Sequence, residues 1–69
     1  MYLDHPADIR EAQYLIENSM RHSSRQAVAN TLGWSVYRVD RIRSGLVTSW
    51  QLNVLREMLS REPSVSATI

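Results

Sequence analysis

Sixty-nine residues with a formal net charge of +1 and no cysteine make one small domain and exclude disulfides and thiolate metal sites. At this size only about 60% of the unfolded chain's surface is buried on folding, so marginal stability and a partner subunit are expected. No apolar run is long enough to span a bilayer and no charged leader precedes one, so a cytoplasmic protein without membrane contact is expected.

Four helix starts punctuate the chain, and no segment alternates as a strand would. The first lies at His5 or Pro6. Proline is favoured in a first turn, and Asp8 and Glu11 suit the positive end of a helix. Ile9, Ala12, Ile16 and Met20 then recur on one face, which predicts a helix to about Arg21. A second start is Ser23 with Gln26 three residues later, the spacing of a reciprocal capping box. That helix ends at Leu32, where Gly33 can adopt the left-handed conformation that closes a helix. Ser35 caps a third helix from Val36 to about Ser44, stopped by Gly45.

Thr48 and Gln51 repeat the capping-box spacing and open a fourth helix, from Ser49 to about Arg61, before Pro63. Its apolar residues Trp50, Leu52, Val54, Leu55, Met58 and Leu59 spread over roughly 200° of the helix, wider than one core-facing stripe requires. A homodimer interface is therefore expected on Trp50, Leu52, Leu55 and Leu59, joined by Leu46 and Val47. Residues 63–69 carry no helical pattern and read as a flexible tail, in which Val65 and Ile69 could add a short strand. The sum is an all-α, compact bundle of four to five helices, with residues 1–62 as a single domain.

The charge is unevenly placed. Residues 1–20 hold four carboxylates against Arg10, a sum of −3; residues 21–45 hold five arginines against Asp40, a sum of +4; the remainder balances. All eight basic residues are arginine, whose planar fork suits bidentate contact with phosphate or guanine. A GC-rich genome accounts for that bias equally well, so the clustering carries more weight than the residue type.

Within this basic third, Arg25 to Gly45 reads RQAVANTLGWSVYRVDRIRSG. Two short helices separated by three residues have a helix-turn-helix spacing. The first must approach the second closely, and Ala29 supplies the small residue, four before the turn glycine Gly33. Val28, Leu32, Trp34, Val39 and Ile42 fill the positions that must be apolar. This pattern resembles the helix-turn-helix of lambdoid phage repressors, the cI and Cro group and their bacterial relatives. It is also similar to the DNA-binding part of the phage activator CII, which places one helix before the motif and one after. Trp34 is larger than the aliphatic residue usual after the turn glycine, and Val36 and Tyr37 stand where a glutamine is often found. The target sequence is therefore not carried over.

The resemblance implies a sequence-specific regulator of transcription, a repressor before an activator, that reads double-stranded DNA as a homodimer and can contact RNA polymerase. If Val39 and Ile42 define the buried side of the third helix, the opposite side presents Tyr37, Arg41 and Ser44, with Val36 and Arg38 on the flanks. Arg41 can fork onto guanine, Val36 can meet a thymine methyl, and Tyr37 can reach a phosphate or a base edge. Arg38 and Arg43 are the expected phosphate clamps, aided by Ser24, Arg25 and Gln26 at the positive end of the second helix. Asp40 is expected to hold Arg43 or to repel wrong sequences.

Other classes fit less of the chain. Catalysis needs converging titratable groups, and only His5, His22 and scattered carboxylates are offered. Asp4, His5 and Asp8 could bind a metal weakly, yet they suit a helix start. No cofactor or small-molecule ligand is expected, because no sensor domain accompanies the motif. The main rival is a protein-interaction module, an antirepressor or adaptor, that uses the same surface to bind protein. An excisionase-like architectural binder would need wing-forming strands after Gly45.

Overall fold

A computed structural model describes residues 1–59. They form four helices: α1, Pro6–Ser19; α2, Arg25–Leu32; α3, Val36–Arg43; and α4, Ser49–Leu59. A fifth helix is not seen among the described residues. The expected extension of α4 to Arg61 and the tail at 63–69 lie outside them.

Local signals account for each boundary. Pro6 opens α1 behind an extended His5 that makes no side-chain cap; proline suits this first position because the amide it lacks would have no partner within the helix. The helix gives way to a loose turn in which the amides of Arg21 and His22 donate to the carbonyls of Asn18 and Ser19, both at 3.2 Å. It therefore stops slightly short of the expected Arg21.

The cap of α2 differs by one residue from the sequence expectation. Ser24, not Ser23, is the cap, and its hydroxyl accepts from the Ala27 amide at 3.1 Å. The position that could return the capping bond then falls on Ala27, which has no side chain to do so. Gln26 instead donates to Asn30 at 3.1 Å, one turn along the helix.

Both ends of the α2–α3 pair close in the same manner. Gly33 takes φ 76°, its amide donates to the Asn30 carbonyl at 3.2 Å, and the next amide, Trp34, reaches back to Ala29 at 2.9 Å. After α3, Gly45 takes φ 107°, its amide donates to Ile42 at 2.9 Å, and Leu46 reaches back to Arg41 at 2.9 Å. These bonds satisfy carbonyls that a helix end leaves unpaired. At Gly33 an added Cβ would meet nothing within 4 Å, so backbone handedness alone requires glycine there. Ser35 caps α3 by accepting from the Arg38 amide at 3.2 Å. Thr48 and Gln51 form the expected reciprocal box, with bonds of 3.1 and 3.0 Å.

The helices bury one apolar cluster: Ala12, Leu15 and Ile16 from α1; Val28, Ala29 and Leu32 from α2; Val39 and Ile42 from α3; Val47; and Leu52 and Leu55 from α4. α1 lies against α4 and α3, and α2 against α3 and α4. No polar or charged residue is buried among the described residues, so nothing in the core competes with apolar packing. Polar ties also bind α1 to its neighbours from outside. Gln13 donates to the Arg43 carbonyl at the end of α3 at 2.9 Å, and Arg56 of α4 forks onto Glu11 at 2.7 and 2.8 Å.

This packing corrects half of the expected subunit interface. Val47 and Leu55 are fully buried and Leu52 nearly so, so all three are used inside the chain and have no surface for a second copy. Leu59 is half-buried against the same cluster. Leu46 and Trp50 remain exposed, as does Met58. The breadth of the α4 stripe arises because α4 packs on both α1 and α2.

One pairing lies outside the helical pattern. The start of the chain runs antiparallel to the α3–α4 connection: Tyr2 bridges Thr48, and the Leu3 amide donates to the Val47 carbonyl at 2.7 Å. No helix among the described residues is long and apolar enough to cross a membrane.

Candidate nucleic-acid interface

With Val39 and Ile42 fully buried, the helical period turns Tyr37, Arg38 and Arg41 away from the core. Tyr37 is 68% exposed and Arg38 is exposed, while Arg41 is half-buried. The reason lies in Arg41's neighbours. Its guanidinium donates to the Tyr37 hydroxyl at 3.1 Å and to the Tyr2 hydroxyl at 2.6 Å, and it stands over both rings, 5.5 Å from the Tyr37 centroid and 5.9 Å from that of Tyr2. The hydrogen bond to Tyr37 and then the electrostatic interaction with Tyr2 raise the Arg41 pKa above the ordinary arginine value. The group stays cationic at every pH at which a protein folds.

Val36 is half-buried and packs against the core, leaving part of its side chain outward. Ser44 is exposed, but its hydroxyl donates back to the Arg41 carbonyl at 2.8 Å. Thus three of the four expected base-reading residues lie on the solvent side of α3, and Val36 sits at its edge.

The expected phosphate contacts divide more sharply. Arg38 stands over the Trp34 ring at 5.9 Å, and Trp34 meets Trp50 at 6.1 Å in a tilted arrangement. Arg25 reaches Asp40 at 3.2 Å, which ties the start of α2 to the middle of α3. Arg43 stands 3.9 Å from Glu17 and 4.0 Å from Asp40. Asp40 therefore holds Arg25 more closely than the expected Arg43, and both arginines are bracketed by carboxylate. Ser24 accepts a capping bond yet retains its hydroxyl proton, and Gln26 retains one amide proton beyond its bond to Asn30.

A groove of about 470 Å³ runs beside α3, between Tyr37, Arg38 and Arg41 on one wall and Tyr2, Leu46 and Gln51 on the other. Tyr2 was not foreseen as part of this surface. It belongs to no helical period, and its contact with Arg41 spans 39 positions, so only the tertiary fold brings it there. No protein-family model, curated protein or solved structure matches the chain.

Proposed function

We propose that the chain is a sequence-specific regulator of transcription that binds double-stranded DNA, with residues 25–44 as a helix-turn-helix and α3 entering the major groove. One observation carries this reading: α3 is apolar and fully buried on its inner side at Val39 and Ile42, yet presents Tyr37, Arg38 and Arg41 outward. Arg41 then meets a guanine edge, Val36 a thymine methyl, and Tyr37 and Ser44 the adjoining base or sugar-phosphate. Arg38 holds a phosphate directly. Arg25 and Arg43 do so only by leaving Asp40 and Glu17, which lowers affinity for duplexes of any sequence.

Homodimerisation belongs to the same proposal, through Leu46, Trp50 and Met58 rather than through the full α4 stripe. A two-fold dimer requires inverted half-sites about 34 Å apart. The decisive experiment is selection from a random duplex pool, followed by binding to the selected and to a scrambled duplex across a salt titration. A selected duplex favoured by about a thousandfold or more, with affinity falling steeply as salt rises, is the expected result. Equal binding of both duplexes overturns the reading.

The second reading, an antirepressor-like or adaptor module, has one observation in its favour. Trp50 is 61% exposed beside Trp34, and an exposed tryptophan is a common anchor at protein interfaces.

A further inference from the structure

The segment 1–3 is held to the body of the protein, and it delivers one side chain to the outer face of α3. Leu3 donates to the carbonyl of the buried Val47 at 2.7 Å. Tyr2 bridges Thr48, which is itself fixed in the capping box of α4. The Tyr2 backbone is thus held against residues 47–48. Tyr2 is 48% exposed, so it is not part of the buried core.

Arg41 already has a partner on its own helix. Tyr37, one turn earlier, accepts one of its hydrogen bonds at 3.1 Å, but an i, i+4 neighbour restrains a long side chain only along the helix surface. Tyr2 approaches from a different element, accepts from the other terminal nitrogen at 2.6 Å, and adds a second aromatic face. The guanidinium is held by two nitrogens against two rings. Of its five N–H donors, two are engaged and three stay available for an outside acceptor.

We propose that Tyr2 is the positioning residue for Arg41: anchored against residues 47–48, its phenol fixes the direction of the guanidinium and so sets discrimination at the base that Arg41 meets. The role in discrimination rests on the DNA-reading function proposed above, whereas the restraint on Arg41 does not. A neutral phenol suits this task better than a carboxylate would, because it orients the cation without cancelling the charge that attracts DNA.

Tyr2→Phe isolates the idea, since it keeps the ring and the backbone bridge and removes only the hydroxyl. In the free protein, ¹⁵N relaxation of the Arg41 Nε–Hε group should report a clear gain in fast motion in Tyr2→Phe, with an unchanged melting temperature. Unaltered Arg41 motion overturns the positioning role whatever the protein binds. On the selected duplex and its single-base variants, Tyr2→Phe should lose about fivefold in preference at the position that Arg41→Ala also relaxes, with random-duplex affinity and salt slope as in wild type. Preference retained at that position while Arg41 is loosened overturns the role in discrimination. Tighter binding to every duplex would make Tyr2 a latch that withholds Arg41, and also overturns it. If the wild-type protein shows no sequence preference, the DNA-reading function fails by itself, and the relaxation measurement still decides the restraint.

Discussion

Two arginines each make hydrogen bonds through two guanidinium nitrogens, to opposite effect. Arg56 on α4 forks onto Glu11 of α1 at 2.7 and 2.8 Å, while Arg41 on α3 is held by the phenols of Tyr2 and Tyr37 at 2.6 and 3.1 Å. Both pKa values are raised, Arg56 chiefly by its hydrogen bond to the Glu11 carboxylate and Arg41 chiefly by its hydrogen bond to the Tyr37 hydroxyl. The α1–α4 side cancels its charge and joins two helices. At α3, Arg41 keeps its charge, and its contact joins the helix to the segment 1–3. An arginine oriented at no cost in charge is suited to an outside anion, and an arginine paired with glutamate is suited to holding the bundle together.

The largest expected effect removes the frame on which that contrast rests. Ala29 is fully buried on α2, and its carbonyl receives the Trp34 amide. Ala29→Leu forces α2 from the cluster, with a loss of about 1–3 kcal/mol in chemical denaturation. DNA affinity should fall with it, although no charge has changed.

Arg41→Ala comes next and separates the two sides. It should cost about ten- to a hundredfold in affinity for the selected duplex and relax preference at one position of the half-site, with little change in melting temperature. Wild-type affinity and selectivity in this variant would end the assignment of Arg41 as the base reader.

A smaller effect, of opposite sign, is expected at Asp40. Asp40→Asn releases Arg25 and leaves Arg43 facing only Glu17. Binding to random duplexes should tighten by about threefold, and the salt dependence should steepen by up to about 0.9 for each further phosphate that the released arginines neutralise. A weakened interaction would instead mean that Asp40 serves mainly to hold α2 against α3.

The smallest effect belongs to the α1–α4 side. Its hydrogen bond to Arg56 lowers the Glu11 pKa, so the folded protein binds that proton less readily than the unfolded chain does. The resulting stability is present above the unfolded glutamate value and is lost as pH falls through the lowered folded value. Glu11→Gln should reduce the melting temperature at neutral pH by only about 2 °C, the scale of an exposed ion pair. The difference from wild type should vanish in acid. DNA binding should remain near wild type, which sharpens the contrast with Arg41→Ala.

Much of the helical frame is legible in the sequence because its determinants are local. Pro6, Ser35, Thr48 with Gln51, and the two glycines each act within four residues, and each stands at the boundary it predicts. The α2 cap misleads because Ser23 and Ser24 are adjacent and chemically equal; their difference lies in where the turn after α1 releases the chain. The α4 stripe misleads for another reason. An apolar residue that faces α2 and one that faces a second subunit have the same pattern, so Val47, Leu52 and Leu55 could not be separated from Leu46 and Trp50 before the packing was known. At the outer surface of α3, residue types were readable but their partners were not. Asp40 with Arg25, and Arg41 with Tyr2, are contacts across 15 and 39 positions, and no periodicity encodes them.

The matched closures at Gly33 and Gly45 carry a consequence for how such a protein can change. The eleven residues between them are bounded at both ends by backbone bonds that involve no side chain, and only Val39 and Ile42 among them are fully buried. Apart from the Ser35 cap and the Asp40 contact with Arg25, their outward letters can therefore be rewritten while their start, end and seat on the bundle persist. Such an arrangement is a natural cassette for grafting, in which a new outer face is installed on α3 and the chain around it needs no redesign.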